Sequence, residues 1–132
     1  MAETTYSRET VGVARLSSPK IHLHINGVAL AAVSVVAFAL TDGRWWLFAA
    51  LIFAPDLSML GYLLSPRIGA ATYNAGHSLL VPAVLVTAAL AGAPAVLLTI
   101  GLVWASHLGV DHMFGYGYKY ATAFKDTHLG RV

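Results

Sequence analysis

Trp104-Ala105-Ser106-His107-Leu108-Gly109-Val110-Asp111-His112-Met113-Phe114-Gly115-Tyr116-Gly117-Tyr118-Lys119-Tyr120 decides how this chain of 132 residues is read. The stretch begins inside the last long apolar run and ends in an aromatic and basic segment that reads as a membrane surface. If the run is helical, His107 and Asp111 stand four residues apart and share a face. An imidazole and a carboxylate on one face form half of a metal or proton site. The rest of the chain decides whether matching groups reach that face.

The composition is that of a membrane protein: 58% of residues are hydrophobic and 11% are charged, where soluble domains carry about 25% charged residues. There is no cysteine, so disulfides, thiolate metal sites, cysteine nucleophiles and iron–sulfur clusters are excluded. Any metal must be held by nitrogen and oxygen. The net charge of +2 rests on eight scattered basic residues, and without a basic stripe nucleic-acid binding is not expected.

Residues 1–20 are polar and mixed and read as a cytoplasmic arm. A first apolar run covers 21–40, with His22, His24 and Asn26 in its opening turns. A signal peptide competes for this run, because Arg15 and Lys20 precede it and Ala37-Phe38-Ala39 resembles a cleavage site. The long leading region favours a retained helix. Trp45-Trp46 is an interfacial anchor pair after the turn at Thr41-Asp42-Gly43-Arg44. The 20 residues 45–64 contain one charge, Asp56, and have the length of a spanning helix. Stopping that helix at Pro55 would leave too short a piece, so Pro55 is expected to kink it and free the carbonyl of Leu51. A third span is expected over 70–90, carrying Tyr73, Asn74 and His77 and kinked at Pro82 with release of the Ser78 carbonyl. A fourth runs from Pro94 to about 110 or 113. The chain thus divides into an arm (1–20), a four-helix membrane domain (21–114) and a cytoplasmic tail (115–132).

With four spans, Arg8, Arg15, Lys20, Arg67, Lys119, Lys125 and Arg131 fall on one side and only Arg44 on the other. Basic residues mark the cytoplasmic side. The expected fold is therefore all-α, an integral membrane antiparallel four-helix bundle with both termini cytoplasmic, in the cell (inner) membrane.

Helical rise places the buried polar groups by depth. Asp56 lies eight residues before Leu64, His77 seven after Ala70 and His107 six before Met113, so each is expected roughly 9 to 12 Å from the cytoplasmic helix ends. Asp111 and Asn74 lie nearer the surface, and Tyr73 shares a face with His77. Intramembrane carboxylates need partners; for Asp56 and Asp111 these are His77 and His107 or a shared cation. Plain interhelical hydrogen bonding by the same residues is the alternative. His22, His24 and His112 are interfacial, and His128 is placed to fold up as a further ligand. Gly115-Tyr116-Gly117 lacks the Gly-Lys-Ser/Thr of a phosphate loop. The Tyr116, Tyr118, Tyr120 alternation reads as an aromatic belt. Ser58, Ser78 and Ser106 lack the Gly-x-Ser-x-Gly elbow of serine catalysis.

The segments Pro55-Asp56-Leu57-Ser58-Met59-Leu60-Gly61-Tyr62, Tyr73-Asn74-Ala75-Gly76-His77, His107-Leu108-Gly109-Val110-Asp111, Gly115-Tyr116-Gly117-Tyr118-Lys119-Tyr120 and Thr127-His128-Leu129-Gly130 together resemble the small bacterial integral membrane proteins grouped as domain of unknown function 4260, over roughly residues 23–131. The resemblance implies a four-helix membrane protein without an assigned activity, and a polar centre of Asp56, Asn74, His77, His107, Asp111 and His128. This chain departs from the family pattern in carrying His112 in place of Arg and Tyr118 in place of Leu. A looser likeness to membrane-bound metal-dependent hydrolases is analogy alone.

The chemistry expected is a metal centre of Zn, Mn or non-haem Fe, held by His77, His107, Asp56 and Asp111 with His128 as a further ligand. Asp56, His77, His107 and Asp111 are the candidate catalytic groups, with Tyr73, Asn74 and Ser58 orienting substrate or ligands. The substrate would be a lipid-phase or amphiphilic molecule, and the reaction hydrolysis or oxidoreduction. Alternatives are a small transporter or proton/cation pathway, a haem gripped by two histidines, or a structural membrane subunit. Membrane lipid is the expected partner. The Ala and Gly content permits a homo-oligomer without specifying one.

Overall fold

The computed structural model describes residues 18–132, and the structure of the expected arm lies almost wholly outside the described residues. Four segments are long and apolar enough to cross a membrane: Pro19–Ala39, Trp45–Leu63, Pro66–Leu90 and Val96–Phe114. The first is one continuous helix, α1 (Pro19–Ala39), with Pro19 at its start, where a missing N–H is harmless. The second is composite, made of α2 (Trp45–Leu51) and a 3-10 helix (Ala54–Leu63). The third is composite too, made of α3 (Pro66–Gly76) and α4 (Leu80–Leu90). The fourth, α5 (Val96–Phe114), is continuous, and a short α6 (His128–Arg131) closes the chain.

The second span corrects the expected kink at Pro55. α2 ends before the proline, its closing bond running from the Ile52 amide to the Phe48 carbonyl at 2.9 Å. The next ladder bond, Asp56 N–H to Phe53 carbonyl at 3.1 Å, already spans three residues. A proline ring would collide with the carbonyl four residues back in an α-helix, and the chain avoids this by rewinding to three residues per turn. Ten residues is long for that winding, but the sequence has the matching period. Leu57, Leu60 and Leu63 form the outer edge, 66%, 60% and 83% exposed. Pro55, Ser58 and Gly61 form a second edge, and Asp56, Met59 and Tyr62 a third.

The Ser58 and Gly61 edge lies against small residues of α3. Ser65 caps α3, its hydroxyl accepting from the Ile68 amide at 3.2 Å. The Thr72 hydroxyl donates to the Ser58 carbonyl at 2.7 Å, and a methyl group on Gly76 would meet Ser58 Cβ at 2.8 Å. Small side chains allow this close approach in the absence of a hydrophobic force between apolar helices.

Pro82 also behaves differently from expectation. The third span breaks upstream, between His77 and Leu79, and Pro82 sits in the first turn of α4, where no amide bond is required. The Ser78 carbonyl is not released; it accepts from the Val81 amide at 3.1 Å.

α5 is the hub. Its buried run includes Gly101, Leu102, Val103, Ala105, Ser106, His107, Leu108 and Gly109. Gly101 admits Val86 of α4, and Gly109 lies directly on the backbone of Ala31 in α1. Phe38, Leu102 and Val103 form the core with Phe48, Leu51 and Val86 around them. α5 stops at Gly115, whose φ of 87° puts it in the left-handed region. There the Tyr116 amide donates to the Asp111 carbonyl at 2.8 Å and the Gly115 amide to the His112 carbonyl at 3.1 Å, the glycine-based stop common at helix ends. The tail then folds back: Lys119 pairs with Thr127 across an isolated antiparallel bridge, and Leu129 is buried.

Candidate metal centre

Each interrupted span delivers one polar group at its break. Asp56 stands in the first turn of the 3-10 helix, and His77 caps the C-terminus of α3. His107 and Asp111 follow one another by a turn on α5. His77 Nε2 lies 3.6 Å from Asp56 Oδ1 and 3.4 Å from Asp111 Oδ2. His107 Nε2 lies 3.4 Å from Asp56 Oδ1 and 3.6 Å from Asp111 Oδ2. The two Nε2 atoms are 3.3 Å apart. Both imidazoles are buried, while Asp56 and Asp111 keep 30% and 19% of their side-chain surface. Asp56, His77 and His107 each offer one atom within 4.8 Å of the others, a group that could hold a metal ion, and Asp111 adjoins that group through the two imidazoles without being one of the three.

The depth at which they meet differs from the expected 9 to 12 Å. A 3-10 helix rises about 2.0 Å per residue, which sets Asp56 roughly 14 Å from Leu63. α3 begins at Pro66 rather than Ala70, which sets His77 roughly 16 Å from its start. Both displacements run in the same direction, so the two groups still meet.

A second layer orients the first. His77 Nδ1 lies 3.0 Å from the Tyr73 carbonyl. A carbonyl has no proton to give, so Nδ1 donates and Nε2 of the neutral ring turns its lone pair inward. The Ser58 hydroxyl donates to the Pro55 carbonyl at 2.6 Å and lies 3.4 Å from His77 Nδ1. The Tyr73 ring stacks on His77 at 3.7 Å, and its hydroxyl donates to Asp111 Oδ2 at 3.2 Å. Trp104 Nε1 donates to the Gly76 carbonyl at 2.7 Å, satisfying an acceptor exposed by the end of α3. Beside Tyr73, His77 and Asp111 is a cavity of about 10 Å³, bordered also by His112, Tyr116 and Tyr118. That is room for about one water molecule.

The remaining expected residues fall elsewhere. The Asn74 amide does not reach the centre; it grips the main chain of Lys119, donating to its carbonyl at 2.9 Å and accepting from its amide at 2.7 Å. His128 packs on Gly117 and Tyr118, its Nδ1 is buried without a partner, and it is not one of the clustered residues. His24 Nδ1 lies 2.9 Å from the Met113 carbonyl, where it serves the end of α5.

Lys119 was read from the sequence only as a basic charge of the tail. It is 8% exposed, and its ammonium donates to the Phe124 carbonyl at 2.9 Å and sits over the rings of Phe124 and Tyr73. Burial pushes its pKa below the ordinary lysine value, with Asp111 and Asp56 opposing. The sequence held the signal: in extended backbone alternate residues face alternate ways, so Gly117 and Lys119 point inward while Tyr116, Tyr118 and Tyr120 point out. At the chain end the Arg131 guanidinium, helped by the Thr122 hydroxyl, holds the half-buried Asp126 carboxyl below its usual range.

Four membrane-length segments with an inward histidine and aspartate cluster define a small membrane protein. Residues 20–132 match the family described as Domain of unknown function (DUF4260), and the chain belongs to it. Comparisons with curated proteins and with solved structures gave no match.

Proposed function

We propose that Asp56, His77, His107 and Asp111 hold one divalent cation and that the protein is a membrane-embedded metal-dependent enzyme acting on a lipid-phase or amphiphilic substrate. The spacing around the two imidazoles carries this reading, since each Nε2 lies 3.3 to 3.6 Å from the other and from one oxygen of each carboxylate. Nitrogen and oxygen donors this close to one another suit zinc, whose bonds to them are about 2.0 to 2.2 Å. Mn and non-haem Fe accept the same donors. Two ionised carboxylates meeting within a bilayer also demand compensating positive charge, and one divalent cation with two neutral imidazoles supplies it.

Such a cation would polarise substrate and activate water for hydrolysis, or handle oxygen in an oxidoreduction. The residues around it do the rest. The Tyr73 carbonyl fixes the His77 tautomer, the Tyr73 hydroxyl fixes Asp111, and the small cavity gives water a place beside both. Haem suits the spacing poorly, because both carboxylates lie 3.4 to 3.6 Å from the imidazole nitrogens where a porphyrin plane would pass.

The test is elemental analysis of the purified protein. Stoichiometric zinc, manganese or iron, lost in His77→Ala, is expected; folded wild-type protein that takes up none of them overturns the reading. A cation or proton pathway is the second reading, favoured by the interruption of two spans at the centre, as at ion sites of transporters. Liposome flux abolished in Asp56→Asn, without retained metal, would decide for it.

The arrangement in the membrane belongs to the same proposal: an antiparallel bundle with both termini in the cytoplasm of a bacterial cell. The seven-to-one distribution of basic residues supports it.

A further inference from the structure

We propose that Lys119 and Tyr62 form an anion subsite beside the metal centre, and that it takes the phosphate group of an amphiphilic substrate. This rests on the metal-centre reading above and names the substrate class for it. Lys119 is buried with the rings of Phe124, Tyr73 and Tyr62 at 3.4, 4.7 and 6.0 Å from its ammonium. Among the described residues no carboxylate lies within ion-pair distance of it. An ammonium has three N–H donors, and the hydrogen bond it makes is to the Phe124 carbonyl. Among the described residues the buried Tyr62 hydroxyl has no hydrogen-bond partner. Its ring is held flat on Gly69, where any side chain would collide, and edge-on to Phe124 at 5.2 Å. The ammonium and the phenol therefore leave donors here without acceptors.

The rings hold the charge and Phe124 takes one hydrogen bond, but among the described residues two N–H groups of a buried ammonium remain without an acceptor, which is costly. An oxyanion supplies the acceptors, since its oxygens have lone pairs enough for the ammonium and the phenol together. Position agrees with chemistry. Tyr73 joins the two sites, its ring under the Lys119 ammonium and its hydroxyl on Asp111. A substrate could thus rest its phosphate on Lys119 while a bond one phenol width away meets the cation. A divalent cation with two carboxylates is neutral, so Lys119 gives the whole site its positive charge. Lys119 also lies five residues past the end of α5, at the boundary where lipid headgroups lie.

The full chain, zinc-loaded in neutral detergent, is titrated with dihexanoyl phosphatidic acid, dihexanoyl phosphatidylcholine and inorganic phosphate, with zinc content measured in parallel. The wild type should bind phosphatidic acid, with affinity falling about tenfold or more in Lys119→Gln and several-fold in Tyr62→Phe, zinc unchanged. Phosphatidylcholine should bind more weakly. Inorganic phosphate binding as tightly, with the same dependence on Lys119, would keep the anion subsite but assign it a free phosphate. Zinc retained with equal binding by wild type and both variants overturns the subsite alone, as does an ordered water alone on the Lys119 ammonium and the Tyr62 hydroxyl. Failure to bind zinc overturns the metal reading instead. Tyr62→Phe preserves the ring packing and remains decisive if Lys119→Gln does not fold.

Discussion

Nε2 of His77 and Nε2 of His107 face each other across 3.3 Å, though the residues are thirty positions apart and belong to different spans. With the Nδ1 proton of His77 committed to the Tyr73 carbonyl, the inward lone pair of that ring needs a proton or a cation opposite it. Two carboxylates at 3.4 to 3.6 Å from these nitrogens are what support the proposed cation.

Removing a ligand should therefore remove the metal. His107→Ala is expected to lower zinc affinity by more than the roughly 10 to 100-fold typical of outer-shell partners. Competition with a chromophoric chelator would measure it, and unchanged affinity in both His107→Ala and His77→Ala would refute the site.

Tyr73→Phe separates stacking from hydrogen bonding. The ring still covers His77, but Asp111 loses its phenol donor. Zinc affinity should fall about 10 to 100-fold with helical content unchanged by circular dichroism.

Asn74→Ala should release the tail and leave the centre in place. Both hydrogen bonds from this side chain hold the Lys119 main chain. Hydrogen exchange should accelerate over residues 116–128 while bound zinc is retained; faster exchange confined to α3 would contradict the assignment.

Gly109→Ala tests the packing of α1 on α5. The added methyl would run into the Ala31 backbone, which cannot turn aside as a side chain can. A loss of about 1 to 3 kcal/mol is expected, read from unfolding in detergent. Val33→Ala, at a position 67% exposed, should change stability by less than about 0.5 kcal/mol.

Much of this was legible in the sequence. Apolar length alone located the four segments, because a bilayer admits few other solutions. The four-residue spacing of His107 and Asp111 put them on one face, and rough depth brought Asp56 and His77 to meet them. The interruptions were not legible. Proline says that an α-helix cannot continue unchanged through it, but not whether the chain will kink, rewind or break upstream. At Pro55 the three-residue leucine period at Leu57, Leu60 and Leu63 was the clue to rewinding. At Pro82 the break moved back to His77, and no local signal marks it. His128 and Asn74 were drawn toward the centre by residue type, whereas their placement depends on how the tail folds back, which periodicity does not encode. Lys119 was concealed because charge counting treats every tail lysine as solvated.

The ten residues wound three to a turn have one more effect. They extend about 20 Å where an α-helix would extend about 15 Å, so this segment reaches as far as an ordinary helix some three residues longer. Trp45 and Trp46 open the same span, at the start of α2. Thickness matching sorts proteins between membranes at modest energetic cost, and replacing the leucine triplet period with an α-helical one would favour a thinner lipid host.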